Sequence, residues 1–340
     1  MLYMYLASAQ ICLLGGYLSG ARAQAKGYTG KWSPTRWLKA TVTVNLLLLL
    51  PTSLARTGHW LPPIIAGLRD PGTAYWASHV WRSGSEPLIE YIRVLLGPIL
   101  ALLFPLTVFY WRLLRFWARA LAVTAVLGLV AIYVSMGTNK AAADLLIVLP
   151  WLVVAASISG YMRLRPRDKL LILAVFLGLA LLFFTFFTAG QKTRIGSGAL
   201  VGYFPAAGIW ANADNVLIRG KSPSTAAGVL ALSSYLTQGY YGLHLSLREP
   251  FVPTFGVGNS MFLYRNISRL LELPHLEEMP YPIRIEAYGW NSMIQWSSIY
   301  PWLASDVTFP GTLILVFLIG RAFALSWLDT LTGRNPFAIA

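Results

Sequence analysis

An all-α, polytopic transmembrane helical bundle of about seven spans, with one large outer loop carrying short amphipathic helices, follows from three features of this 340-residue chain. Hydrophobic residues make up 56% of it and charged residues only 12%, whereas a soluble globular chain is about a quarter charged. The mean hydropathy is +0.58. Several uninterrupted apolar runs approach or exceed the roughly 18 to 20 residues that carry a helix across about 30 Å of hydrocarbon. Lys and Arg cluster in short loops between those runs, so the net charge of +14 reads as a positive-inside pattern and implies no nucleic-acid partner. The single cysteine, Cys12, lies in an apolar stretch, so an intrachain disulfide is impossible and nothing points to thiol or Cys-based metal chemistry.

The first run, residues 2–20, is followed by Arg22, Lys26, Lys31, Arg36 and Lys39 and by no small-residue cleavage site, so it is kept as a helix. The second run, 37–55, leads into a loop containing Pro62-Pro63, Asp70-Pro71-Gly72 and several aromatics. The third, 92–110, ends at Arg112, Arg115 and Arg119, and the fourth, 120–136, ends at Gly137-Thr138-Asn139-Lys140. A fifth, 141–161, meets Arg163, Arg165, Arg167 and Lys169; the sixth is 170–189 and the seventh 309–325. The organisation is therefore transmembrane helices over 1–189, a large outer loop over 190–307, and a last helix with its tail over 308–340. With every run crossing, loops 21–36, 112–119 and 163–169 share one side, which their charge makes cytoplasmic, and the long loop faces outward.

That long loop holds most of the acidic residues, including Asp214, Glu249, Glu272, Glu277, Glu278, Glu286 and Asp306. Its apolar stretches, 226–236 and 261–273, are too short to span and read as amphipathic or re-entrant helices at the membrane surface. No phosphate-binding glycine loop, paired-His zinc motif or nucleophile elbow occurs. The four histidines are scattered, which argues against a zinc centre.

Three stretches resemble the bacterial oligosaccharide repeat-unit polymerases, the O-antigen polymerase (Wzy-type) family of membrane glycosyltransferases. Tyr235-Leu236-Thr237-Gln238-Gly239 is similar to that family's Tyr-Leu-Thr-x-Gly box and is followed by Glu249-Pro250-Phe251 and Thr254-Phe255-Gly256-Val257-Gly258. Gln295-Trp296-Ser297-Ser298, through Asp306-Val307-Thr308 to Gly311, is similar to a second box; Gln295, Ser298 and Thr308 stand where the family has Asn, Thr and Gly. Met136-Gly137-Thr138-Asn139-Lys140 is a weaker third echo. Family members usually have more helices, so the chain reads as a short member or part of a longer one.

The resemblance implies transfer of a growing glycan from a polyprenyl diphosphate to a new lipid-linked repeat unit, on the outer face of the bacterial inner membrane. The implied partners are the polyprenyl-diphosphate-linked oligosaccharide, the lipid bilayer, a chain-length regulator and a flippase. The departing diphosphate needs positive charge in a poorly hydrated site. Arg194 and Arg284 are the first choice for that clamp, Lys192 and Lys140 the second, then Arg248 and Arg265; each is otherwise a membrane-anchoring cation. The attacking hydroxyl needs a base or an orienting carboxylate, for which Glu286, Glu249 and Asp306 are candidates. Asp306 has a second reading as a helix cap. Tyr240 and Tyr241, with Trp290, Trp296 and Tyr300, offer stacking faces for sugars, or are aromatics of a membrane surface. No metal or other cofactor is expected. A ligase-type glycosyltransferase, a transporter or flippase, and a structural protein are the alternatives.

Overall fold

The computed structural model describes residues 1–23, 29–84, 88–195, 202–204, 209–212, 214–292, 295–333 and 335–339, except for the side chains of 79–84, 192–195, 202–204, 209–211, 223 and 224. In chain order the α-helices are α1 (Leu2–Ala21), α2 (Pro34–Thr57), α3 (Ile64–Arg69), α4 (Pro71–Gly84), α5 (Leu88–Leu95), α6 (Gly97–Ala101), α7 (Leu103–Phe109), α8 (Phe116–Ser135), α9 (Lys140–Ile158) and α10 (Pro166–Ile195). A two-stranded antiparallel hairpin follows, β1 (Gly202–Phe204) against β2 (Ile209–Ala211), with Tyr203 opposite Trp210. Then come α11 (Pro223–Ser246), α12 (Met261–Leu271), α13 (Tyr281–Arg284) and α14 (Ile299–Thr332).

Among the described residues, six helices are long and apolar enough to cross a membrane: α1, α2, α8, α9, α10 and α14. The chain is thus a helical, multi-pass membrane protein. The run at 92–110, read from sequence as one straight span, is instead α5 and α6–α7 with a 70° bend between them, and counts as a seventh crossing only if the bent pair is one span. Gly97-Pro98 is the cause: Pro98 donates no N–H, and its ring collides with the carbonyl four residues back, so Leu96 leaves helical geometry (φ −87°, ψ 3°). Two further boundaries differ from the sequence reading. The stretch read as 226–236 lies within a 24-residue helix, α11, about 36 Å long at 1.5 Å per residue. A further helical segment, 299–307, precedes the last run, and the two meet at a break at Thr308.

The chain divides into two compact units. One comprises residues 24–198, 222–228 and 326–340. Its core is Leu38, Leu103, Leu106, Phe109 and Tyr110 packed with the small Ala122, Ala125, Ala155 and Ala156. Small residues let membrane helices approach closely enough for dispersion contacts to hold them, since lipid offers no hydrophobic drive. Tyr110 is fully buried, and its phenol donates to the Gly333 carbonyl at 2.8 Å.

The other unit comprises residues 1–23, 199–221 and 229–325. Here α1 lies against the second half of α14 at backbone contact. A Cβ on Gly16 would stand 1.9 Å from the Phe317 carbonyl oxygen, on Gly20 2.6 Å from that of Arg321, and on Gly320 2.2 Å from that of Leu13. Gly16 and Gly20 are spaced as Gly-x-x-x-Gly, the pattern that puts two bare patches on one helix face. Arg321 Nη1 donates to Ser19 Oγ at 2.6 Å across this seam, and Tyr5 meets Tyr300 and Phe309 edge-on, with ring centroids 5.6 and 5.3 Å away.

Candidate functional site

Three segments of the second unit are tied together: the loop after α11, the turns at 280–289, and the first half of α14. Pro280 and Pro282 start α13, a single turn that runs on into a 3-10 turn over Ile285–Tyr288 and ends at Gly289. Arg284 and Tyr288 therefore lie one helical turn apart, on one face. Both reach Glu249. Arg284 Nη2 donates to Glu249 Oε2 at 2.5 Å and Nη1 to the Pro250 carbonyl at 2.6 Å, while the Tyr288 phenol donates to Glu249 Oε1 at 2.6 Å. The guanidinium also stands 5.6 Å from the centre of the Tyr281 ring. The Glu249 and Arg284 side chains are 11% and 17% exposed. Hydrogen bonding to the Glu249 carboxylate raises the Tyr288 phenol above the usual tyrosine range, so it stays a donor.

Asp306 organises the same region. Its Oδ1 accepts from Thr254 Oγ1 (2.5 Å) and from the N–H groups of Gly256 (2.9 Å) and Gly258 (3.1 Å). Its Oδ2 accepts from the N–H and the Nδ2 of Asn259, at 3.0 and 2.7 Å. Five donors occupy one carboxylate, which leaves little capacity for a proton arriving from substrate. Gly258 is needed here because a Cβ would meet Thr254 Oγ1 at 2.1 Å. The Ser305 carbonyl also accepts from Thr254 Oγ1 (2.8 Å), and Ser305 Oγ accepts from the Tyr281 N–H (3.0 Å). One hydrogen-bonded chain thus links α14 to the loop and to the turns that hold Arg284.

Two of the three sequence stretches singled out above also meet in this unit. Gly239 of α11 faces the backbone of the Gln295–Ser298 segment: a Cβ there would stand 3.2 Å from the Ser298 nitrogen and 3.4 Å from the Trp296 carbonyl oxygen. One turn further, Gly242 lies under the Trp290 indole, whose ring centre is 6.3 Å from that of Tyr241.

Comparison with protein families, characterised proteins and solved structures finds no match.

The remaining predicted residues are placed as follows. Arg248 is exposed beside Glu249, and Arg265 on α12 stands 6.0 Å from the Tyr264 ring centre. Glu286 accepts from the Ser292 N–H at 3.2 Å and from its hydroxyl. Tyr240 and Tyr241 are half-exposed on α11. Lys140 belongs to the other unit, where it pairs with Asp144 one helical turn on, at 2.6 Å. Lys192 and Arg194 fall in the last turn of α10, and their side chains lie outside the described residues. Among the described residues no three His, Cys, Asp or Glu side chains converge as they do around a metal ion.

Sequence reasoning passed over Tyr288 and Asn259, and gave Thr254, though it stands in a quoted stretch, no role of its own. Tyr288 had a signal: it is four residues from Arg284 in a stretch bounded by proline and glycine. The other two had none, since they work by filling the oxygens of a carboxylate about 50 residues away. Arg56, Glu90 and Arg93 form a second polar cluster, in the first unit, that the apolar-run reading also passed over.

Proposed function

We propose that this protein is a glycosyltransferase of the bacterial inner membrane that polymerises lipid-linked oligosaccharide repeat units of an O-antigen, capsule or exopolysaccharide. The observation that supports the reading is the convergence, in one unit, of two of the three stretches that resemble the repeat-unit polymerases: the Gly239 box against 295–298, and Asp306 of the second box around the Thr254–Gly258 turn. The donor is a growing glycan on polyprenyl diphosphate and the acceptor a new lipid-linked repeat unit, both reached from the periplasmic side.

Glu249 and Arg284 supply the chemistry. The acceptor hydroxyl attacks the anomeric carbon of the donor, the bond from that carbon to the diphosphate oxygen breaks, and the diphosphate leaves with the electron pair. Arg284 is held by Glu249 in the resting arrangement. A diphosphate competes for the same guanidinium fork, and the exchange frees Glu249 to take the proton of the attacking hydroxyl. Tyr288 keeps hold of the other carboxylate oxygen and so fixes its direction. Arg248 adds an exposed cation beside the pair. Asp306 acts through the loop it holds and is a positioning residue.

The test is complementation of a disruption strain, reading glycan length on gels. Loss of the gene leaves single repeat units on the cell surface; Glu249→Gln and Arg284→Lys fail to restore the ladder by at least about tenfold, while exposed Glu278→Gln restores it. Disappearance of single units as well identifies a ligase-type enzyme, and an unchanged ladder in the disrupted strain overturns glycan transfer. Uptake by vesicles that needs an ion gradient and no lipid-linked sugar identifies a transporter.

A further inference from the structure

The first unit has a cavity of about 430 Å³ between α7, α8, α9 and α10, walled by Val108, Leu127, Val153 and Val175 and reaching Trp111 and Met162 at one end. Among the described residues no charged side chain lines it, and its one hydroxyl, Thr107 Oγ1, donates to the Leu103 carbonyl at 2.6 Å. Water held inside a protein needs about two to four hydrogen-bonding partners, which these walls do not supply. An empty space forfeits the dispersion contacts of the atoms around it. Leu127 of α8 and Leu171 and Val175 of α10 are exposed where they border the cavity, so it opens outward. Because α8, α9 and α10 are each long and apolar enough to cross a membrane, what reaches that opening is hydrocarbon.

The end marked by Trp111 and Met162 carries the charge. The end of α7, the start of α8, the end of α9 and the start of α10 meet there, and Arg112 Nη2 donates between the two loops to the Arg163 carbonyl at 2.7 Å. Arg119 lies over Trp111, with its guanidinium 5.3 Å from the ring centre and its Nε donating to the Trp111 carbonyl at 3.1 Å. A cation thus stands on a residue that lines the cavity. Arg112, Arg115, Arg163, Arg165, Arg167 and Lys169 are exposed in the same two loops. Among the described residues none of these, nor Arg119, pairs with a carboxylate. The one acid of the two loops, Asp168, accepts from the Arg165 N–H at 2.9 Å. At this end α8 begins with neither an acid in its first turn nor a side-chain cap, so its first N–H groups add to the positive field.

We propose that this cavity takes one acyl chain of an anionic phospholipid, whose phosphate is held at the Trp111 end by Arg112, Arg119 and Arg163. An apolar slot selects the chain and a basic rim selects the headgroup, as basic pockets between membrane helices do for acidic lipids. Both requirements are met within one unit. The inference holds on whichever side of the membrane these loops lie, and it does not need the glycan-transfer reading.

The test places the full chain in nanodiscs of phosphatidylglycerol and phosphatidylcholine in equal amounts and counts the lipids retained on release by native mass spectrometry. Phosphatidylglycerol is expected to be retained in preference to phosphatidylcholine. Arg112→Gln and Arg163→Gln are each expected to lower that preference about fivefold, as loss of one cation near an anionic headgroup does. Arg119→Gln is expected to lower it as far and Arg119→Lys, which keeps the charge, to leave most of it. Exposed Arg219→Gln, in the other unit, leaves it unchanged. Val153→Trp fills the cavity and is expected to abolish retention of phosphatidylglycerol; Val175→Trp, at the exposed edge, does the same and takes its place if Val153→Trp fails to fold. Where Arg119→Gln fails to fold, the two exposed arginines carry the charge test. Equal retention of the two lipids by the wild type, a preference unmoved across the arginine series, or retention unchanged in both Trp variants overturns the proposal.

Discussion

Thr308 has a backbone conformation, φ 65° and ψ 166°, that a residue with a Cβ seldom adopts, and it lies inside α14. Such geometry costs on the order of 1–3 kcal/mol. Some of that is recovered locally, because Thr308 Oγ1 accepts from the Gly311 N–H at 3.3 Å, a long contact. Thr308→Gly removes the Cβ clash and loses that contact, for an expected net stabilisation of about 1 kcal/mol, read as a higher melting temperature in detergent; a lower one shows the strain to be absent. The position is also where the resembled box has glycine. Tyr288 gives a second test. Its phenol is raised by Glu249, so the hydrogen bond contributes fully below the ordinary tyrosine range and is lost as pH rises through the raised value. The difference in melting temperature between wild type and Tyr288→Phe is thus expected to be present at neutral pH and to close at strongly alkaline pH. A gap independent of pH assigns the effect to packing.

Among elements, the α1–α14 seam depends most sharply on the absence of side chains. Gly16→Val puts carbon where the Phe317 carbonyl oxygen stands, 1.9 Å from the Cβ position, and the helices have to separate; a loss of about 2–3 kcal/mol is expected. Gly178 in α10 has nothing within 4 Å of its Cβ position. Gly178→Ala is therefore expected to be neutral or stabilising by about 0.5–1 kcal/mol through helix propensity. Equal effects of the two substitutions on detergent unfolding contradict the seam. Most helices were legible as apolar runs because spanning a bilayer imposes length and composition together. The α5–α6 break was not, although Gly97-Pro98 was in view, because hydropathy averages over a proline that changes direction without changing polarity. The helical segment 299–307 that precedes the last run was missed for the opposite reason: it is too polar to resemble a span, and it is tied to the 254–259 loop and to Tyr281. Individual candidate residues such as Glu249 and Arg284 were legible as charges in the long loop. Their pairing, across 35 residues, is a product of the fold and leaves no local pattern.

For the whole molecule, the 70° bend between α5 and α6–α7 decides which side of the membrane everything after it faces. If the bent pair crosses, Arg22, Lys31 and Arg36 share a side with Arg112, Arg115 and Arg119 and with Arg163, Arg165, Arg167 and Lys169. If it re-enters and returns, the last two groups move to the opposite side from the first, and the loops no longer share a sign-determined face. Positive charge in short loops resists translocation, so the crossing arrangement is the one expected. Replacing Cys12 by Ser gives a cysteine-free chain, into which single reporters are placed at Ser33, Leu113, Arg165, Lys140 and Glu278. A membrane-impermeant maleimide applied from outside is expected to label Lys140→Cys and Glu278→Cys and to spare the other three until the membrane is opened. Labelling of Leu113→Cys and Arg165→Cys from outside, with Glu278→Cys protected, means that the pair re-enters. The Glu249–Arg284 cluster would then face the cytoplasm, where a translocated lipid-linked glycan never arrives, and polymerisation would be excluded on geometry alone.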